Sequence, residues 1–410
     1  MTDGKRARQG AAGRKAMRRP VSPVTRRKFL ELSASAASWA AISAAEARSA
    51  FGAAATGKST ARVAIGRCRT YDYAAVKKSL ANLFDLLGDV DSLVRGKPVV
   101  MKVLAHPPDK VDSVGQFLTY NSHPEVARAA AKLFLERGAA HVTIVDSVFH
   151  KDPGSGAFAW VGYDIRSFQS ELGEKNVAFI NTRNKGSGSR YARMHVGQDA
   201  YLYDHFDLNE VYDVESRGGV FVSLAKMKNH QIAGVTLTMK NLFGATPCAL
   251  YGQDAPNEDS ISYRGDSHHD AKPRFPGRNK IEASPMPGDN VPRVIADLAR
   301  ARPIHLAILD GIVVVHGGEG PWNRSPLGIA APGLLLAGRN AVATDSAAAA
   351  IMGYNPEGDH YRFPWPNGCN HLALAAARGV GTNKLDEIEV SGLSLAEATY
   401  NLPPMRDETP

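Results

Sequence analysis

The residues best suited to chemistry lie in one stretch, Gly219 to Gly244, which reads GVFVSLAKMKNHQIAGVTLTMKNLFG. An apolar run predicts a buried strand over Val220 to Leu224, and Lys226, Lys228 and His230 follow it directly. Such cations at the carboxyl end of a strand in an α/β sheet lie where these folds bind ligands. The lysines are therefore candidates for binding an anion, and His230 is a candidate for transferring a proton.

A helix is predicted next, from about Ile232 to Phe243, and it carries three further candidates for anion binding, Thr236, Lys240 and Asn241. Thr236 and Lys240 are four residues apart and share one helix face. The first amides of a helix lack intrahelical partners and attract anions. A solvated basic loop over a core helix is the alternative. Three lysines, a histidine and an asparagine around one turn favour the anion site.

Two acidic residues are predicted to lie near these cations. Asp310 ends an apolar strand that begins at His305, and Glu319 stands among glycines. Each could bind a metal, orient the base, or form an ion pair with Lys226 or Lys228, and the sequence leaves these roles open. Asp146, at the end of another predicted strand, is a further residue that could border a site.

A long irregular segment, residues 245–289, follows the lysine-rich stretch and is rich in Pro, Gly, Asp and His. Loops of this length inside a domain are usually functional or disordered, so a lid over the site is one interpretation. His268 and His269 join Asp310 and Glu319 as candidate metal ligands. Adjacent side chains rarely converge on one metal, so a solvated loop is the favoured role for at least one of the two histidines.

Four separate blocks of the sequence resemble the signature of the domain of unknown function 362 family. The first is the strand with K-x-K-x-H, G-V-T and K-N-x-x-G already described. The others are His123-Pro124-Glu125-Val126, Leu309-Asp310-Gly311 with the glycines around Glu319, and Ala343-Thr344-Asp345. The resemblance covers roughly Val63 to Ser391. It implies a site built from these blocks and no particular reaction, because the family's activity is not established.

The first 47 residues predict export. Arg26 and Arg27, within Thr25–Leu30, form a twin-arginine motif, and a modest apolar stretch and the small-residue site Ala45-Glu46-Ala47 follow. Residues 1–47 are therefore predicted to be a signal peptide read by the twin-arginine translocase. The mature protein would be periplasmic, without stable insertion in the membrane. Met17 is an alternative start.

Charge and cysteine content exclude several classes of protein. Residues 1–47 contain ten Lys or Arg and three Asp or Glu, and the whole chain has a net charge of +8, so the remainder carries a net charge of only +1. This balance predicts no nucleic-acid surface. The three cysteines are scattered without a C-x-x-C pair, which makes an iron–sulfur cluster of its own improbable. The sequence does not identify a cofactor, and both a metal and an organic group remain open.

Strands and helices alternate from Ala61 onward, which predicts an α/β fold. We expect a mainly parallel sheet with helices on both faces and long loops inserted over the strand ends. One such domain would span residues 61–392, and residues 393–410 would form a tail. Within it, Ser122 and Glu125 are predicted to form a capping box, and Asp345 to be the N-cap of a helix.

The leading functional prediction is a periplasmic enzyme that acts on a small anionic substrate. Lys226, Lys228 and Lys240 would converge on one pocket, with catalytic His230 assisted by Asp310 or Glu319. The alternative is a periplasmic solute- or cofactor-binding protein that uses the same lysines and runs no reaction.

Overall fold

The computed structural model describes residues 61–106, 118–183, 190–255, 263–272, 274–278, 284, 286–320, 327–359, 365 and 368–403. All of them belong to one compact unit, Thr60–Pro410. The predicted signal peptide and the end of the predicted tail lie outside the described residues.

Fourteen strands are described. In chain order they are β1 (Ala61–Arg67), β2 (Pro98–Lys102), β3 (His141–Asp146), β4 (Val177–Asn181), β5 (Tyr191–His195), β6 (His205–Asn209), β7 (Val220–Lys226), β8 (Asn229–His230), β9 (Gly234–Val235), β10 (Leu306–Gly311), β11 (Val314–His316), β12 (Gly328–Ala330), β13 (Leu334–Gly338) and β14 (Ile388–Gly392).

Eight of these strands form one sheet in the order β14-β1-β13-β10-β7-β2-β3-β4. β13 runs antiparallel to both β1 and β10, and the other five pairings are parallel. The remaining strands form three two-stranded pairs, β5 with β6, β8 with β9 and β11 with β12. The predicted fold class, an α/β protein with a mainly parallel sheet, is confirmed.

Twelve α-helices are described. They are α1 (Tyr73–Leu87), α2 (Val90–Val94), α3 (Pro124–Glu136), α4 (Ser155–Trp160), α5 (Ile165–Leu172), α6 (Leu237–Asn241), α7 (Cys248–Tyr251), α8 (Gly265–His268), α9 (Pro287–Ala301), α10 (Ala341–Ile351), α11 (His371–Ala377) and α12 (Leu395–Ala398). Among the described helices, none combines the length and the apolar character that crossing a membrane requires.

β7 lies near the middle of the sheet, and all seven of its residues are buried. Because successive side chains alternate between faces, Phe221 and Ala225 pack into one core, and Val222 and Leu224 pack into the other. α6 and α10 cover the first face, and α1 and α3 cover the second. A continuous apolar run is what a strand covered on both faces requires.

Two local predictions are wrong. The N-cap of α3 is His123, whose ring accepts a hydrogen bond from the Glu125 amide, while the Ser122 hydroxyl donates to the carbonyl of Leu224 in β7. The helix predicted from Ile232 begins only at Leu237, because the β8–β9 hairpin occupies the preceding residues. The hydrogen bond from Ser122 to β7 and the two-residue pairing of β8 with β9 override the local sequence patterns at these positions.

Candidate functional site

Lys226, the last residue of β7, lies in a sealed network with Asp310. Its ammonium donates to Asp310 Oδ2 at 2.7 Å, to the Tyr71 hydroxyl at 3.0 Å and to the Val313 carbonyl at 3.1 Å. The Tyr71 hydroxyl donates to the other Asp310 oxygen at 3.0 Å, and the ring of Tyr71 stacks on His123. Both charged side chains are fully buried. Asp310 therefore forms an ion pair with Lys226, which is one of the roles that the sequence leaves open for it.

Lys228 lies two residues beyond Lys226 and points toward a different loop. Its ammonium donates to the backbone carbonyl of Glu319, and it lies 5.7 Å from the centre of the Tyr120 ring. Burial lowers the pKa of Lys228 to about 7, and Lys240 and Lys226 add to this effect while Glu319 opposes it. An ammonium with this pKa is stabilised strongly by a nearby anion.

His230 and Glu319 form a close pair on the same side of the site. His230 Nε2 lies 2.5 Å from Glu319 Oε2, and His230 Nδ1 accepts from the amides of Ile232 and Ala233, both at 3.1 Å. Since Nδ1 is an acceptor, the ring proton of neutral His230 sits on Nε2 and points to Glu319. Burial lowers the pKa of His230 to about 4, although Glu319 opposes the shift.

Glu319, and not His230, is the member of the pair that solvent reaches. The Glu319 side chain is 24% exposed and that of His230 is 5% exposed. Burial alone would raise the pKa of Glu319, but His230, Lys240 and Lys228 hold it well below the usual range. The geometry therefore favours Glu319 as the group that meets a ligand, with His230 orienting it.

The start of α6 already has an anion of the chain's own. Asp345 accepts from the amides of Thr238 and Met239, each at 2.9 Å, and from the Thr238 hydroxyl at 2.6 Å. Asp345 lies inside α10, whose N-cap is Asn340, so its predicted role as the cap of that helix is wrong. Burial raises the pKa of Asp345 to about 7. The predicted anion site at the helix start is therefore filled from within the protein.

Lys240, on α6, is half-buried and lies near the Glu319 pair. Its ammonium is 4.0 Å from the centre of the Phe243 ring, and within the described part of the chain it makes no hydrogen bond or ion pair. Burial lowers the pKa of Lys240, Lys102 and Arg264 lower it further, and Glu319 opposes them. Lys240 is thus an amine at the site that the fold leaves available.

The other two predicted anion-binding residues of this region have different surroundings. Asn241 is buried and donates to the Lys102 carbonyl at 3.2 Å and to the Ser223 hydroxyl at 3.0 Å, so it joins α6 to the sheet. Thr236 is also buried, and its hydroxyl has no hydrogen-bond partner among the described residues. Asn241 therefore positions the helix that carries Lys240, and Thr236 keeps a buried hydroxyl near its start.

Lys102 is a buried lysine that the sequence does not single out for the site. It ends β2, and its ammonium donates to Asp146 Oδ1 at 2.7 Å and to Asn241 Oδ1 at 3.0 Å. Asp146 also accepts from the Ala105 amide at 2.6 Å. The sequence feature that could have indicated Lys102 is a single lysine at the end of an apolar strand.

Three histidines beyond His230 surround the site. His106, just past β2, interacts electrostatically with Lys228, Glu319 and Lys240. His269 interacts with Lys240 and Glu319, and His371, at the start of α11, interacts with His230 and Lys240. Burial is the main cause that lowers the pKa of all three, that of His371 to about 3. Of these three histidines, the sequence indicates only His269, because His106 and His371 lie far from the lysine-rich stretch in the sequence and outside the four family blocks.

The four candidate metal ligands, Asp310, Glu319, His268 and His269, do not form one group. Asp310 binds Lys226 and Glu319 binds His230, while His268 lies against Phe243 with Nε2 3.1 Å from the Thr246 hydroxyl. Across the described ranges, no group of three or more His, Cys, Asp or Glu side chains is arranged to hold a metal ion.

Comparison with known families decides the kinship of the chain. The family described as Domain of unknown function (DUF362) matches residues 113–350, which is more than half of the sequence. The chain belongs to this family. The resemblance drawn from the four sequence blocks is confirmed.

This DUF362 protein is similar in sequence to one curated protein and was matched to one solved structure. A thylakoid-associated protein of Synechocystis sp. is 25% identical over 302 residues, which cover 72% of this chain and 75% of the relative. A crystal structure of a Thermotoga maritima protein is 12% identical with a TM-score of 0.31, and the match covers 66% of this chain and 56% of that one.

The family match divides the site of this DUF362 protein into two parts. Lys226, Lys228, His230, Lys240 and Glu319 all fall within residues 113–350. Lys102, His106 and His371 fall outside it, on β2, just after β2 and at the start of α11. The pair of Glu319 with His230 and the adjacent lysines thus lie within the family region, and parts of their surroundings lie beyond it.

Proposed function

We propose that this DUF362 protein is an exported enzyme that binds a small anionic substrate at the open side of Glu319. Lys228, Lys240 and Arg264 would bind the anion, and Glu319, oriented by His230, would transfer a proton. These roles refine the sequence prediction, in which His230 transferred the proton and Lys226 bound the anion.

An excess of positive charge is the observation that carries this proposal. Lys228 and Lys240 interact with the single carboxylate of Glu319, and Arg264 interacts with Lys240. Lys226 and Lys102 each have a carboxylate of their own, Asp310 and Asp146. The basic groups of the site outnumber its one carboxylate, and an added anion would stabilise their charged forms.

Arg264 strengthens this argument because its bonds use neutral acceptors. Its guanidinium donates to the Thr246 carbonyl at 2.6 Å, to the Gly244 carbonyl at 3.5 Å and to the Ser147 hydroxyl. Among the described residues no carboxylate pairs with Arg264. Its charge therefore adds to the field at the site without local compensation.

Proton transfer is the step that would make the protein an enzyme. The Glu319 carboxylate is half-buried, is held by the Nε2 proton of His230, and has lysines beside it. A carboxylate in this setting can take a proton from a bound ligand, with His230 and the lysines stabilising the charges that develop.

A protein that binds its ligand without reaction is the second candidate function. It is favoured by the engagement of both His230 nitrogens, Nδ1 with two amides and Nε2 with Glu319. A histidine held in this way serves equally well to fix a carboxylate that only binds. The replacement Glu319→Gln separates the two candidates, because it should abolish turnover and leave a measurable affinity.

Export to the periplasm is part of the proposal and is supported by Arg26 and Arg27 ahead of a short apolar stretch. Replacing both with Lys should leave folded protein in the cytoplasm. Normal delivery of that variant, or delivery in cells lacking the twin-arginine translocase, would contradict the proposed route.

The binding proposal is tested by native mass spectrometry of protein purified from its own host, followed by thermal shifts with small carboxylates and phosphates. Lys240→Met should lose the shift that the best anion gives to the wild type. Lys384→Met, at an exposed lysine paired with Glu387, is the matched control and should keep it. Equal shifts in wild type and Lys240→Met would reject Lys240 as an anion ligand.

A further inference from the structure

The four lysines around the site differ in how far they are exposed to solvent. Lys102, Lys226 and Lys228 are at most 1% exposed, and their ammonium groups donate to protein oxygens. Lys240 is half-buried, and its ammonium lies 4.0 Å from the centre of the Phe243 ring. Of these four amines, Lys240 is therefore the one that a ligand can approach.

We propose that Lys240 is a nucleophile that forms a Schiff base with a small anionic carbonyl compound, of which 2-oxo acids are the simplest class. The inference rests on the proposed function, since the anionic group of the substrate would bind beside Lys228 and Arg264. It goes further by naming the carbonyl as the reacting group and Lys240 as the catalytic residue.

The surroundings of Lys240 suit this reaction. A lysine attacks a carbonyl only as the neutral amine, and burial beside other cations favours that form. Lys102 and Arg264 are the cations that lower the pKa of Lys240, and burial is the larger cause. Glu319, 24% exposed, is a nearby group able to accept a proton.

The chemistry balances without an oxidant or reductant. Neutral Lys240 Nζ adds to the carbonyl carbon, and the carbonyl oxygen becomes a hydroxyl as the proton of the new ammonium passes to it through Glu319. The remaining N–H proton then passes to this hydroxyl, again through Glu319, and the hydroxyl leaves as water as the carbon–nitrogen double bond forms. The sum is one amine plus one carbonyl giving one imine and one water.

The choice of an anionic carbonyl follows from the charges around the amine. A neutral ketone brings no negative charge to Lys228 and Arg264, whereas a 2-oxo acid brings one carboxylate to them. Reaction with Lys240 is thus expected to depend on the substrate's negative charge.

The test is reductive trapping on the full chain. Wild type is incubated with pyruvate, glyoxylate or 2-oxoglutarate and cyanoborohydride, and the adduct is located by intact-mass measurement and peptide mapping. We expect a single saturable adduct on Lys240 with at least one of these acids. Lactate, which has the anion without the carbonyl, should protect against it, and acetone, which has the carbonyl without the anion, should not form it.

Lys240→Arg keeps the charge and should lose the adduct, while Lys384→Arg should retain it. Adducts spread over exposed lysines, or an adduct of equal yield in Lys240→Arg, would overturn the inference. So would the absence of an adduct with all three acids. If lactate still raises the melting temperature in that case, the anion site stands and only the nucleophile is rejected. If no anion shifts the melting temperature, the proposed function fails with it.

Discussion

Two groups of lysines and acids lie at the strand ends, and they differ in how completely their charges are matched. Lys226 and Asp310 are both fully buried, and Asp310 meets one lysine, one tyrosine and backbone amides. In the group around Glu319, here called the open group, the side chains of Glu319 and Lys240 are partly exposed to solvent, and the basic groups outnumber the carboxylate.

The comparison separates structural lysines from functional candidates. A buried ion pair with every polar atom bonded has nothing left to offer a ligand, and removing one partner leaves an unpaired charge in the interior. A partly exposed group with excess positive charge does not stabilise the fold in this way. Binding of an anion would explain why the protein has such a group. The following predictions test this difference.

The largest expected effect comes from the fully buried group of Lys226 and Asp310, here called the sealed group. Asp310→Ala leaves the buried Lys226 ammonium without its carboxylate, and it should lower the free energy of unfolding by about 3–5 kcal/mol. Glu389→Ala is the control, because its pair with Arg62 is 45% exposed on both sides and should contribute about 0–1 kcal/mol. Denaturant unfolding measures both. Similar losses in the two variants would remove the distinction between the groups.

The histidines of the open group should make stability depend on pH. The pKa of His371 is about 3 in the folded protein, lowered by burial, His230 and Lys240 against an opposing effect of the Ala233 carbonyl, and its ordinary value is 6.5. The folded state therefore binds fewer protons than the unfolded state between these values. This contribution to stability is complete above the ordinary value and is lost as pH falls, at about 1.4 kcal/mol per pH unit.

Urea unfolding of wild type and His371→Gln, at several pH values from about 7 to about 5, measures this effect. The variant should have a shallower slope by about one proton. Parallel curves for the two proteins would show that His371 keeps an ordinary affinity for protons in the folded state.

Asp345 joins the core to the open group, and its removal should have an intermediate effect. Asp345→Ala leaves the buried amides of Thr238 and Met239 without an acceptor, which should lower the free energy of unfolding by about 2–3 kcal/mol. Asp164→Ala, at the exposed cap of α5, should lose only about 1 kcal/mol. A smaller loss for Asp345→Ala than for this control would show that α6 does not need the carboxylate.

The smallest change should come from the open lysine. Lys240→Met removes a cation that the described residues do not pair, and the free energy of unfolding should stay within about 0.5 kcal/mol of wild type. Lys226→Met, the matched substitution in the sealed group, leaves Asp310 buried without its cation and should lower it by about 3–5 kcal/mol. A comparable loss for Lys240→Met would assign it a structural role.

The sequence predicted the strands well because their signal is local. The apolar run that begins at Val220 and the strand that ends at Asp310 are both observed, and β7 extends two residues further, to Lys226. α1 ends at Leu87 for a similarly local reason, since Gly88 adopts the left-handed conformation, with φ of 79°, that closes a helix.

The site itself was only partly predictable because its contacts are distant in sequence. The sequence located the lysines of β7 and α6, His230 and Glu319. It could not show that Asp345 fills the start of α6, or that Asp310 rather than Glu319 neutralises Lys226. Leu237 adopts a φ of 51°, a backbone conformation rare outside glycine, so α6 is held by its surroundings rather than by its own propensity.

The central position of β7 has a consequence for when the protein acquires its site. Val222 pairs with Met101 on one side and with Leu306 on the other, so the strand that carries Lys226 is completed only by segments from both halves of the chain. Contacts of such high sequence separation carry a loop-closure cost that slows folding. The lysines, Glu319 and His230 can therefore assemble only after the chain has been synthesised beyond Glu319.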